Sequence, residues 1–197
     1  SKWGLTSTVD SDEDGIVDAS DLEPIVNPWK WELIAKQADA RNDKGLFSSD
    51  ARSTFLENEN DPSRSTFMSI GNLNSADYAD ENGNYKFKLV WGGRSVDSSG
   101  IKKEVIWTQT SWIDDSTIQG FQEIGDSGFN DMGDGKNFEG LGKSSSDNCL
   151  IDADGIRHGN WWNCVGAINT HTSNSSTGIP GPLQKIASSM HLYVWVP

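Results

Sequence analysis

Long apolar runs, cysteine and histidine are all scarce in this sequence. Its 197 residues include two cysteines and three histidines. No apolar run approaches the roughly 20 residues that a helix needs to cross a bilayer, so we expect no membrane insertion. No signal peptide is present, and the chain opens with Ser1 rather than Met, so we expect a processed or excised piece of a longer protein.

Positive charge is also in short supply. Sixteen Lys and Arg stand against 29 Asp and Glu, which gives a formal net charge of −13 at pH 7. Nucleic acids and anionic membrane surfaces select basic patches, so this balance argues against both as partners. It favours cations as partners instead.

Sequence signatures of catalysis are missing as well. We find no GxSxG, HExxH, phosphate-binding loop or dinucleotide fingerprint. His158, His171 and His191 are scattered, and no two of them have the spacing of metal ligands. We therefore expect a protein that is not an enzyme. A carbohydrate-active enzyme stays open as an alternative, because the two carboxylates of a glycosidase need not be close in sequence.

Large aromatic side chains, by contrast, are abundant. Nine Trp, seven Phe and three Tyr supply enough apolar surface for a folded core. The length fits one domain with a short appendage. We predict a mainly β fold, with a β-rich α+β fold as the alternative. The expected organisation is one globular domain at 29–197 with a few short helices, preceded by a calcium-binding arm at 1–28.

Alternating apolar residues and turn signals locate the predicted elements. Strands are predicted at 29–37, 85–91, 104–110, 119–124, 150–151, 161–168 and 190–196. Helices are predicted at 48–59 and 62–73, with Asp61 capping the second and Pro62 at its first position. In the first strand, alternation places Trp29, Trp31, Leu33 and Ala35 on one face. The last strand ties the end of the chain into a sheet.

The most specific pattern is VDSDEDGIVDASDL at residues 9–22. Its acidic residues match a twelve-residue Ca²⁺ loop, with Gly15 at the sharp turn of position 6. The predicted ligands at positions 1, 3, 5, 7, 9 and 12 are Asp10, Asp12, Asp14, the Ile16 carbonyl, Asp18 and Asp21. A solvated acidic linker accounts for the charge but not for Gly15 or the register. Zinc would need His or Cys ligands, and none lies nearby.

The same stretch resembles the calcium repeats of thrombospondin type 3 arrays and the dockerin loop. Both occur in extracellular proteins, so the resemblance implies Ca²⁺ binding and an extracellular location. There is one copy here and no second loop to form a dockerin pair, so cohesin binding is not implied. We expect a solitary loop to act as a rigid spacer or as the last repeat of an array.

The two cysteines flank an acidic turn at 152–155. In an extracellular protein Cys149 and Cys164 would pair, and closing a loop of about 15 residues contributes about 3 kcal/mol. In a cytosolic domain they would instead be two buried thiols. The disulfide is our prediction, because the calcium loop favours an extracellular setting.

The segment between the cysteines is similar to the fibrinogen C-terminal-like domain. There a Cys, an acidic-glycine turn, a Trp-Trp pair and a second Cys follow in that order, with FEG a little upstream, here at 138–140. The resemblance implies a second calcium site, for which the candidates are Asp126, Asp131 and Asp134. It also implies a recognition pocket beside the Trp-Trp pair, and the candidate pocket residues are His158, Trp161, Trp162 and His171.

On a strand, Trp161 and Trp162 would point to opposite faces, so at least one belongs to the core. The other either packs in the core as well or stacks on a sugar ring.

Asn174 begins a glycosylation sequon in a polar loop at 171–182, which either presents a binding surface or carries a glycan. Over residues 29–196 the motifs WELIAKQ, FMSIGNL, YKFKLVW, WTQTSW and NWWNCVGA follow in that order. This order resembles that of a group of extracellular domains from marine invertebrates that have no assigned catalytic activity.

Together these features predict a secreted or cell-surface calcium-binding domain that is not an enzyme. Its expected role is adhesion, matrix building or assembly of a surface filament. The expected partner is a protein or glycan at the cell surface or in the matrix, with self-assembly as a further expectation. The alternative is a lectin-like module that binds carbohydrate through Ca²⁺.

Overall fold

Antiparallel strands dominate the computed structural model of this chain. It describes residues 30–39, 45–125, 138–144, 149–152, 162–168 and 177–197. The strands are β1 Lys30–Ala38, β2 Thr66–Met68, β3 Tyr85–Gly92, β4 Glu104–Gln109, β5 Gln122–Glu123, β6 Gly142–Lys143, β7 Ile151–Asp152, β8 Ile179–Pro180, β9 Ile186–Ala187 and β10 Ser189–Val196. The helices are α1 Ala51–Thr54 and α2 Arg94–Ser98, with 3₁₀ turns at Ile70–Asn72, Ser75–Asp77 and Pro182–Gln184.

Six of these strands form one sheet in the order β2-β1-β10-β3-β4-β5. All neighbours in it run antiparallel. Two small sheets, β6-β7 and β8-β9, lie outside it. The prediction of a mainly β fold is confirmed. The division into an arm at 1–28 and a domain at 29–197 stays a prediction, because the arm lies outside the described residues.

The four long strands coincide with four predicted ones. β3, β4 and β10 match their predicted ranges to within one residue at each end, and β1 is displaced by one residue. Alternation identifies them because one face of the sheet is buried: β3 and β10 each bury every second residue. β10 pairs with β1 on one side and β3 on the other, so the end of the chain lies inside the sheet, as predicted.

The predicted alternation of β1 is wrong at Ala35. The register with β10 shifts between Leu33, which pairs with Tyr193, and Ala35, which pairs with Leu192. Ile34 is the extra residue of this bulge, and both Ile34 and Ala35 are buried. A bulge reverses the faces of the residues that follow it. Leu33 therefore lies on one side of the sheet and Ala35 on the other.

The helix predicted at 48–59 is wrong over most of its length. α1 covers only four residues and ends where Phe55 adopts a left-handed conformation, with φ 52° and ψ 33°. Phe55 is buried, and Glu57 then forms an isolated bridge with Met68. Tertiary pairing has overridden the local helix preference.

The helix predicted at 62–73 is also wrong. Its middle is β2, which forms the edge of the large sheet beside β1, and a 3₁₀ turn follows at Ile70–Asn72. Asp61 caps no helix: its Oδ1 accepts from the Ser63 amide at 3.1 Å and so closes a local turn. Hydrogen bonds from Ser63 lower the pKa of Asp61.

Two further predicted strands are shorter than expected. The stretch at 119–124 forms only the two residues of β5. Within 162–168, the part of the predicted strand 161–168 that is described, pairing is limited to an isolated bridge between Ile151 and Val165. Trp162 therefore lies in a turn rather than on a strand.

The main core covers one face of the large sheet, called here the inner face. Its largest fully buried side chains include Trp91, Trp107, Phe87, Ile34, Leu89 and Met68. Aromatic rings continue the core away from the sheet, because the ring of Phe138 meets that of Trp107 edge-on at 5.0 Å. No helix in the described ranges is long and apolar enough to cross a membrane.

Candidate functional site

Most of the predicted site residues lie outside the described residues. These are the calcium ligands Asp10, Asp12, Asp14, Ile16, Asp18 and Asp21, the second-site candidates Asp126, Asp131 and Asp134, the pocket candidates His158, Trp161 and His171, and the sequon residue Asn174. Their roles stay predictions. Among the residues that the structure does describe, no group of three or more His, Cys, Asp or Glu is arranged to hold a metal ion.

The two cysteines are described, and both are buried thiols. The thiol of Cys149 donates at 3.6 Å to Ser144 Oγ and to Asp152 Oδ2. Burial, followed by a hydrogen bond with Cys149, raises the pKa of Cys164 well above its usual value. The structure thus holds the pair side by side without a disulfide. The disulfide stays a prediction, since adjacent thiols are what its formation requires.

A buried glutamine on β1 attaches the second cysteine's segment to the sheet. Gln37 donates to the carbonyls of Gly45, at 2.8 Å, and Ala167, at 3.1 Å. Its Oε1 accepts from the Gly166 amide at 2.9 Å. The side chain satisfies backbone groups of two loops at once, which a buried apolar residue could not do. This contact fixes the segment that carries Trp162 against the inner face.

A second buried glutamine, Gln109 on β4, does the same for the FEG segment. Its Oε1 accepts from Trp107 Nε1 at 2.8 Å and from the Leu141 amide at 3.1 Å. Its Nε2 donates to the Leu141 carbonyl at 2.8 Å and to the Ser111 carbonyl at 3.0 Å. The donors and acceptors of this amide are therefore all engaged within the core.

The glycine of FEG is explained by this contact. Gly140 has φ 95°, and a Cβ at this position would lie 2.6 Å from Gln109 Oε1. Only glycine fits so close an approach in that backbone conformation. The sequence reasoning missed both glutamines. The available signal was a polar amide at an inward position of a strand whose other inward residues are apolar.

The opposite side of the sheet, called here the outer face, carries a different set of side chains. Register and alternation place on it one long row from each of the four central strands. These residues are Trp31, Leu33, Lys36, Lys86, Lys88, Val90, Glu104, Ile106, Thr108, His191, Tyr193 and Trp195. Each of them is partly or fully exposed.

Two lysines and three aromatic rings meet at one end of the outer face. The rings of Trp31 and Trp195 pack edge-on with centroids 5.1 Å apart. Lys86 Nζ lies 4.2 Å from the Trp195 centroid and 5.6 Å from that of Trp31. Lys88 Nζ lies 4.6 Å from the Trp31 centroid and 5.1 Å from that of Tyr193. We call these five residues the lysine–aromatic cluster.

The lysine–aromatic cluster carries positive charge that no carboxylate among the described residues neutralises. Neither Lys86 nor Lys88 forms an ion pair with any residue in the described ranges. Contact with a ring face stabilises an ammonium by about 0.5–1 kcal/mol at an exposed site, which holds the two charges in place without cancelling them. A cluster of this kind can bind carboxylate or sulfate groups, and its rings can stack on apolar faces of a ligand.

His191, beside the cluster, and Tyr193, within it, are uncharged at neutral pH. Burial, and secondarily the charge of Lys36, lowers the pKa of His191 below its usual 6.5. Burial, and secondarily Glu104, raises the pKa of Tyr193. The His191 and Tyr193 rings stack with centroids 6.3 Å apart. Within the part of the chain that the structure describes, the positive charge of this end of the face at pH 7 therefore comes from lysines.

A polar hollow of about 550 Å³ lies elsewhere, beside β2. It is lined by Glu57, Asn58, Ser63, Arg64, Ser65 and Thr66. The carboxylate of Glu57 already accepts from Ser48 Oγ at 2.5 Å, and Asn58 Nδ2 donates to the Thr66 carbonyl at 2.9 Å. These side chains form hydrogen bonds within the loop itself. The hollow is therefore a weaker candidate for a binding site than the lysine–aromatic cluster.

Comparison with protein-family models, with curated proteins and with solved structures finds no match to this chain. The resemblances to thrombospondin type 3 repeats, dockerin loops, fibrinogen-like domains and marine invertebrate domains therefore stay predictions.

Proposed function

We propose that this chain is an extracellular calcium-binding module, without catalytic activity, that serves adhesion, matrix building or filament assembly. The observation that carries the proposal is the lysine–aromatic cluster on the outer face. Three partly exposed rings lie beside two ammonium groups that have no carboxylate partner among the described residues. Exposed aromatic groups of this kind mark interaction surfaces.

A flat surface suits binding better than it suits catalysis. A catalytic site needs a nucleophile with a base, or two carboxylates, converging on one reacting atom. The cluster offers neither, since its charged groups are ammonium ions and Glu104 lies farther along the face. Along β10, residues 191 to 195 span about 14 Å at 3.4 Å per residue, enough for an extended peptide or a short oligosaccharide.

Calcium has a structural role in this proposal. The predicted loop ends at Asp21, and β1 begins at Lys30. A rigid loop that close to the sheet would fix the direction in which any preceding part of the protein leaves the outer face. Oxygen ligands from five aspartates and one carbonyl are the kind that Ca²⁺ prefers.

The calcium-binding proposal is tested by calorimetry. Chelator-stripped wild-type protein and the variant Asp12→Ala/Asp14→Ala are each titrated with Ca²⁺. We expect one site in the wild type and its loss in the variant. A site that survives in the variant would place calcium at 126–134 instead. An absence of binding in the wild type would defeat the calcium proposal.

A lectin-like module is the second candidate, favoured by the three rings of the lysine–aromatic cluster. Aromatic rings of this kind can stack on the apolar faces of sugar rings. The matched variants Trp195→Ala and Trp162→Ala separate two locations for such a site on a glycan array. Loss of binding only in Trp195→Ala would place it on the outer face. Loss only in Trp162→Ala would favour the fibrinogen-like pocket, and silence across a broad array would count against both.

A further inference from the structure

We propose that the acidic segment at residues 10–23 docks on the lysine–aromatic cluster of its own chain. The docking does not depend on calcium binding.

Charge complementarity is the first support. The segment that precedes β1 carries seven carboxylates against one cation, Lys2. The carboxylates are Asp10, Asp12, Glu13, Asp14, Asp18, Asp21 and Glu23. The cluster holds two ammonium groups that are fixed by ring contacts and have no carboxylate partner within the described ranges. Opposite charges at close range attract most strongly where part of the surroundings is apolar.

Position is the second support. The segment joins the sheet at Lys30, and the next residue, Trp31, is itself a member of the cluster. Lys86 Nζ and Lys88 Nζ lie 5.6 Å and 4.6 Å from the Trp31 ring centroid. Glu23 precedes Trp31 by eight residues, which span up to about 26 Å when extended, at about 3.3 Å per residue. The carboxylates can therefore reach both ammonium groups.

Tethering favours the chain's own segment over that of a second copy. The connection at residues 24–29 is short, so it keeps the segment at a high local concentration beside the sheet, whereas a second copy must be supplied from solution. Two molecules that each carry a net charge of −13 also repel one another before their faces can meet. The intramolecular contact should therefore prevail in dilute protein.

Zero-length carbodiimide cross-linking of the dilute full chain without calcium, followed by mass spectrometry, tests the docking. We expect amide links from Lys86 or Lys88 to carboxylates at 10–23 within monomers. Absence of such links overturns the proposal, and links confined to dimers would assign the cluster to a second copy. Links in a protein that fails to bind Ca²⁺ would support the docking and defeat only the calcium proposal.

Matched lysine variants give an independent readout. Lys86→Gln/Lys88→Gln removes the ammonium groups of the cluster, and Lys102→Gln/Lys185→Gln makes the same change in net charge at exposed positions outside it. A Glu-specific protease should cut after Glu13 several-fold faster in the first variant than in the second. Equal rates in the two variants would contradict docking on the cluster.

Discussion

The two sides of β10 show how differently one strand can be used. Met190, Leu192 and Val194 point to the inner face and are fully buried. Their neighbours His191, Tyr193 and Trp195 point to the outer face and stay partly exposed. The inner set has the composition of a packed core, whereas the outer set combines rings with neighbouring lysines. We infer that the inner face supplies stability and the outer face supplies binding.

The polar groups of the two faces differ in the same way. On the inner face, Gln37 and Gln109 have their side-chain groups paired with loop backbone or core groups. On the outer face, Lys86 and Lys88 have ring contacts but no carboxylate partner among the described residues. Buried polar groups need hydrogen-bond partners within the protein, whereas exposed charged groups are solvated by water and remain able to bind a ligand.

The same substitution on the two faces should give the largest contrast. Trp107 is fully buried on the inner face, and Trp195 is partly exposed on the outer face. We expect Trp107→Ala to lower the free energy of unfolding by about 3–5 kcal/mol, because it removes core contacts and leaves a cavity. Trp195→Ala should cost about 1 kcal/mol, from lost ring contacts. Urea denaturation measures both, and equal losses would contradict the division between the faces.

Removing an inner-face amide should have the next largest effect. Gln109→Leu leaves Trp107 Nε1 and the Leu141 amide without their acceptor in the core. We expect a loss of about 3 kcal/mol in the free energy of unfolding, since each unsatisfied buried group costs roughly 1–3 kcal/mol. Gln119→Leu, at an exposed position, is the matched control and should be nearly neutral. Denaturation of both variants in parallel provides the comparison.

Neutralising the outer-face lysines should barely change stability. Lys86→Gln/Lys88→Gln loses ring contacts worth about 0.5–1 kcal/mol each at exposed sites. Part of that loss should be recovered because Gln can still pack its apolar carbons on the rings. We expect the free energy of unfolding, measured by urea denaturation, to change by about 1 kcal/mol or less. A loss as large as that of Gln109→Leu would mean that the cluster is a structural element instead.

The smallest effect should be the pH response of His191. Its folded pKa is below 6.5, so the unfolded chain binds more protons near that pH. This contribution to stability is complete above pH 6.5 and is lost as the pH falls through the folded pKa. His191→Gln should remove this acid-induced loss of stability, which denaturation experiments between pH 7 and 5 would measure. Lys36→Gln should raise the pKa of His191 in an NMR titration; an unchanged value would exclude the charge of Lys36 as a cause.

The sequence predicted the strands that bury one face and failed where pairing decides the structure. YKFKLVW alternates throughout, so β3 was predictable from its residues alone. β2 was not, because its extended form depends on pairing with β1. The bulge at Ile34 has no local signal in an apolar stretch. Short elements of this kind are set by the sheet rather than by their own residues.

The lysine–aromatic cluster was likewise beyond local sequence reasoning. The alternation of Lys86 and Lys88 with buried residues indicates an outward row on β3. The sequence does not indicate that Trp31 and Trp195 lie beside that row, because their position follows from the strand order β1-β10-β3. The partners are separated by more than fifty residues along the chain. Only the register brings them together.

The central position of β10 sets the order of events during biosynthesis. A ribosome releases β1 and β3 long before β10, yet β10 lies between them in the sheet. Until residues 189–196 emerge from the ribosome, the facing edges of β1 and β3 lack the strand that lies between them. The large sheet therefore cannot be completed before β10 has been synthesised, and the unpaired edges of β1 and β3 are open to aggregation until then.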